Sequence, residues 1–142
     1  MKTRAIAISI FLGLFLLAAT APVQAQQPLR VKIPFAFVAD NVTLPAGEYS
    51  VQPVRDGSPA LILQRIDGRG NDAAIVLTHA AESSNFKSQS CLVFRVYSEG
   101  YFLSEMWTAG NTSGRQLSTS PIEKQLARNE TSHEVVLVAS LR

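Results

Sequence analysis

The side chains with chemistry to offer are few and scattered. His79 and His133 each stand alone, with no H-x-H or H-E-x-x-H spacing and no cysteine at ligand distance in sequence. Each is expected at a strand end or turn. Gly110-Asn111-Thr112-Ser113-Gly114 approximates a nucleophile elbow. Its serine falls one place late for G-x-S-x-G, and no strand-to-helix pattern surrounds it, so a loop is expected. Asp67, Asn71 and Asp72 carry oxygens that suit calcium, but Arg69 takes the third position of such a loop and no glutamate follows. A polar hairpin loop is expected there.

Two carboxylates, Glu99 and Glu105, flank an aromatic stretch. A glycosidase sets two carboxylates across a cleft, and local sequence gives no reason to pair these. Glu99 falls in a turn, and Arg95 is the expected cross-strand partner of Glu105. Tyr97, Tyr101, Phe102 and Trp107 concentrate aromatic faces in one hairpin. They are candidates to line a sugar or lipid groove, with core packing as the expected role. No catalytic residue, cofactor site or metal-ligand set is predicted, so the chain is expected to be non-enzymatic.

These side chains must be positioned by strands. Leu29, Val31, Ile33, Phe35 and Phe37 alternate with Arg30, Lys32 and Pro34, which predicts one strand over 29–38 with a buried face. Pro34 cannot donate to a ladder, so an edge strand or bulge is expected. Pro45-Ala46-Gly47 interrupts two extended stretches and predicts a strand–turn–strand corner, with alternation resuming at Tyr49 and Val51. Further strands are expected over 60–66, 73–80, 90–97 and 101–108, with Ser98-Glu99-Gly100 as a three-residue turn. Residues 109–115 read as a flexible loop and 116–119 as a stub of strand. Ser120-Pro121-Ile122-Glu123 combines a capping box with proline at the first helical position. The short helix that follows should dock through Ile122 and Leu126. Residues 134–141, EVVLVASL, are apolar on both faces and predict a strand that is central or seals a barrel. The expected fold is therefore all-β and mainly antiparallel. It would be a β-sandwich or small barrel of about seven to nine strands with one short helix near the C-terminus.

The N-terminus predicts export. Lys2 and Arg4 precede an apolar run over Ala5–Ala21, Pro22 breaks it, and Val23-Gln24-Ala25 supplies a cleavage pattern. Residues 1–25 are expected to be a signal peptide, leaving 26–142 as a single β-domain in the periplasm or outside the cell. The chain has 13 basic and 11 acidic residues. Lys2 and Arg4 depart with the leader, so the mature chain is balanced and has no basic footprint for nucleic acid. Its membrane contact would end with cleavage. Cys91 is the sole cysteine, within an apolar run, and is expected to be a buried, inert thiol. The sequons at Asn41, Asn111 and Asn129 fall in turns or loops.

PFAFVADNVTLPAGEYSV, LVFRVYSEGYFLSEMW, GRQL and EKQLAR together resemble a family of short exported proteins of soil bacteria, especially acidobacterial ones. The resemblance spans nearly all of the mature chain. That family has no assigned activity, so it implies a bacterial envelope or extracellular setting, makes the sequons incidental, and carries over no catalytic residue. The expected function is a binding or structural role in the envelope toward a protein, glycan or lipid. The alternative is a small barrel carrying an apolar ligand, and a hydrolase with an unrecognised site is a third possibility.

Overall fold

The computed structural model describes residues 27–141. The expected leader and its cleavage site lie outside them. Period-two patterning is realised as β1 (Leu29–Ile33), β2 (Phe37–Ala39), β3 (Val42–Leu44), β4 (Gly47–Pro53), β5 (Ala60–Arg65), β6 (Ala73–Glu82), β7 (Cys91–Tyr97), β8 (Gly100–Trp107) and β9 (Ser113–Leu117). The helix α1 (Pro121–Asn129) follows, then β10 (His133–Val138) and β11 (Ser140–Leu141). The fold is all-β with one helix. Eleven strands form rather than seven to nine, because residues 29–38 divide into β1 and β2 and residues 134–141 into β10 and β11.

The hydrogen-bonded path runs β10-β7-β8-β9-β6-β5-β4-β1-β11 and is not closed into a barrel. β6 serves two neighbours: Ala73–Leu77 pair with β5, and Thr78–Glu82 pair with β9. It is the corner at which one face of the sandwich becomes the other. β2 joins β8 through a parallel pairing and β3 through a two-residue hairpin. The ends of the path are consecutive in the chain. β10 pairs β7, Ala139 donates its N–H to the Ser90 carbonyl at 2.8 Å, and β11 pairs β1.

Both faces contribute to one core. Val31, Ile33, Tyr49, Leu63 and Val76 meet Phe37, Leu92, Phe94 and Leu117 in a single buried cluster. Phe37 sits edge-on to both Tyr49 (5.3 Å) and Phe94 (5.5 Å), the geometry that brings a positive ring edge to a negative ring face.

Several expectations are corrected. Residues 29–38 form two strands in different parts of the sheet, because Pro34 has no N–H with which to continue the ladder. The corner at 45–47 exists, but its glycine has a packing reason. A Cβ on Gly47 would lie 2.8 Å from Arg65 Nε and 2.9 Å from Asp67 Oδ2. The Tyr49 hydroxyl donates to the Pro45 carbonyl at 2.7 Å and ties the corner from inside. β10 ends the path instead of sitting centrally: Val135 and Leu137 turn inward, while Val136 and Val138 are exposed. The helix docks through Glu123, which is buried, while Ile122 is exposed.

Candidate ligand-binding cleft

The four aromatic side chains of the β7–β8 hairpin do not line a common groove. Alternation puts Tyr101 on the inner face, stacked on Phe35 with ring centroids 3.7 Å apart. Phe102 faces outward and meets Tyr97 edge-on at 5.6 Å, beneath the helix. Trp107 is buried with Cys91 and Val93 at the far end of the hairpin. Its Nε1 donates to Glu105 Oε2 at 2.8 Å, and Lys87 Nζ lies 5.0 Å from its ring centroid. All four are packing residues, with Tyr101 the one left half-exposed.

The hairpin turns on Ser98-Glu99 alone, with Tyr97 opposite Gly100 and a register shift between Val93 and Phe94. Arg95 therefore faces Phe102, and Glu105 faces Val93, so the expected Arg95–Glu105 pair does not form. Arg95 Nη1 instead meets Glu123 Oε1 at 3.1 Å, and the Tyr97 hydroxyl donates to the same oxygen at 3.4 Å. Glu130 holds the other end of the helix, accepting from the N–H and hydroxyl of Ser98, both at 2.8 Å. This carboxylate set is a latch for α1.

The remaining candidates are either paired within the fold or exposed singly, and they do not converge. Asp67 and Asp72 both grip Arg65, at 2.8 and 3.0 Å. The Arg69 backbone N–H, and then the Arg65 guanidinium, hold the Asp67 carboxyl below its usual range. His79 Nε2 lies 2.9 Å from Ser118 Oγ on an exposed surface, with β9 between it and Glu105. His133 is exposed at the start of β10. Burial pushes the Cys91 thiol above its usual value, against a smaller opposing pull from Lys87. Asn41 and Asn111 are exposed in turns, and Asn129 is exposed at the helix end. Among the described residues no three His, Cys, Asp or Glu side chains gather as a metal site.

The larger of two concavities among the described residues lies elsewhere, at the end of the sandwich where β6 turns the corner. It is an open cleft of about 1070 Å³. Leu29, Val51, Met106 and Leu141 give it apolar walls, and Thr78 and Arg115 supply polar groups. Among the described residues, Arg115 is the sole ionisable side chain of the lining. A second hollow of about 400 Å³ beside Lys32, Glu48, Asp67 and Arg69 mixes both signs of charge, and its Asp67 is already paired.

Sequence had placed residues 109–115 in a flexible loop. Ser113–Leu117 is instead a strand paired on both sides, with Arg115 between Ala80 of β6 and Met106 of β8. The signal was masked by Gly114, which weakens any strand pattern. Here a Cβ would drive into the Trp107 ring, so the glycine is what lets the indole lie on β9. Alternation then sets Arg115 on the same face as Leu117, which is in the core.

No family model matches this chain, and searches of characterised proteins and of solved structures likewise find no match.

Proposed function

We propose that this chain is an exported, non-enzymatic binding module of the bacterial envelope, and that it takes a small ligand in the end cleft. The observation that carries this is the cleft itself. Its volume of about 1070 Å³ stands at the upper edge of the roughly 300–1,000 Å³ usual for ligand pockets. Its lining joins apolar side chains to the hydroxyls of Thr78, Thr108 and Ser113, the amides of Gln27 and Asn111 and one guanidinium, the mixed composition of a recognition site. The leader pattern and the resemblance to short exported proteins of soil bacteria support the envelope setting. A ligand carried between the sheets would have to displace Phe37, Tyr49 and Phe94, which are fully buried there. The end cleft needs no such displacement.

The test is a native mass spectrum of the protein purified from its host envelope. A retained small-molecule adduct is expected, and Ser113→Trp, which fills the cleft from an exposed position, should abolish it. Adduct-free wild-type protein, or an adduct indifferent to Ser113→Trp, would reject the cleft as the binding site.

A further inference from the structure

We infer that the cleft recognises a small amphipathic carboxylate and that Arg115 is its anion receptor, an inference that rests on the binding role proposed above. Arg115 projects from the middle of the cleft's β9 wall, flanked by Ala80 and Met106, both cleft residues. Its one side-chain hydrogen bond runs from Nη1 to Thr78 Oγ1 at 3.4 Å, near the limit of such a contact. Thr78 spends its own proton on the Pro59 carbonyl at 2.6 Å, so its oxygen can only accept from Arg115. All 11 acidic side chains of the chain lie within the described residues. None stands within salt-bridge distance of Arg115, whereas Arg65 holds two and Arg95 holds one.

A guanidinium with a free donor fork is matched in shape by a carboxylate, which accepts two parallel N–H bonds. The apolar walls keep water from surrounding the pair on all sides, so its attraction is less screened than at an open surface. One positive charge in the lining balances one negative charge. A phosphate dianion would bring a second charge with nothing to meet it. Pro53, Met106 and the half-exposed Leu141, over a floor formed by the buried Leu29 and Val51, then receive an alkyl or aryl body. Head and tail are recognised by different walls of one cleft.

The experiment titrates the whole mature domain with decanoate, decanol and decyl phosphate, following backbone amide resonances of Ala80, Ser113 and Gly114. Decanoate should shift these three and bind at least about tenfold more tightly than decanol, the difference expected for a charge-assisted hydrogen-bonded pair. Arg115→Gln should reduce decanoate to the level of decanol while resonances outside the cleft stay in place. Arg115→Lys, which keeps the charge and loses the fork, should fall between. Should Arg115→Gln not fold, the decanoate-to-decanol ratio in the wild type and its decline with salt decide the matter. Decanol binding as tightly as decanoate would overturn the anion receptor and leave cleft binding intact. Tighter binding of decyl phosphate would overturn the carboxylate assignment. Absence of binding by all three would overturn the inference, while the native mass spectrum would still judge the broader proposal.

Discussion

Arg95 of β7 and Glu123 of α1 form an ion pair at 3.1 Å, with the Glu123 side chain buried and the Arg95 side chain 23% exposed. Ser120 Oγ accepts from the Glu123 N–H at 3.2 Å, so the residue that fastens the helix is itself held by the helix cap. Removing one member of a buried pair strands the other charge. Glu123→Ala should therefore cost about 3 kcal/mol in urea denaturation. Replacing both partners together, Arg95→Met with Glu123→Leu, should recover part of that loss. A Glu123→Ala variant as stable as the wild type would refute the latch.

Gly114 and Trp107 make a second tight contact, where an added Cβ would meet the indole ring and the Met106 carbonyl. Gly114→Ala should destabilise by about 1–3 kcal/mol, the usual cost of overpacking. Because this is the chain's single tryptophan, its fluorescence reports the disturbance directly. An unchanged emission maximum with unchanged stability would count against the packing described.

Tyr49 is fully buried, and burial raises its phenol pKa above the ordinary value of 10.0. In the unfolded chain the phenol ionises first, so above about pH 10 the folded state holds more protons than the unfolded one. Stability should then fall as pH rises, until the folded phenol itself ionises. Tyr49→Phe should remove this alkaline decline. At neutral pH it should cost about 1–2 kcal/mol by leaving the Pro45 carbonyl without its donor. Identical alkaline profiles for the two proteins would exclude Tyr49 as the source.

The acid side has the opposite sign. Asp67 is held below its ordinary pKa of 3.8 by the Arg69 N–H and Arg65. Its contribution is present above that value and is lost as pH falls through the lower, folded pKa. Asp67→Asn should be less stable than the wild type at neutral pH and nearly equal to it in strong acid. A difference that stays constant with pH would show the charge to be irrelevant.

The strands were largely legible because a half-buried strand writes its burial into alternate residues: Val31 and Ile33, Leu61 and Leu63, Val76 and Thr78. What alternation cannot convey is which sheet a strand joins. Pro34 marks a break but not a crossing, and the valines of β10 read as central although two of the three, Val136 and Val138, face solvent. The cleft was not legible at all. Arg115 sits in a polar, glycine-containing stretch whose strand identity depends on partners at Met106 in the preceding strand and at Ala80, much farther back in the chain. The hairpin aromatics drew notice by type alone, but alternation and a one-residue bulge send them to different neighbours.

Leu29 stands opposite Leu141, so the first and last strands of the domain meet across almost its whole length. Closing so long a loop is entropically costly, and contacts of this range slow folding. A chain made from its N-terminus holds β1 without this partner until Ser140 and Leu141 have been made. Completion of this architecture is thus timed by the arrival of β11, and until then one edge of β1 stays open.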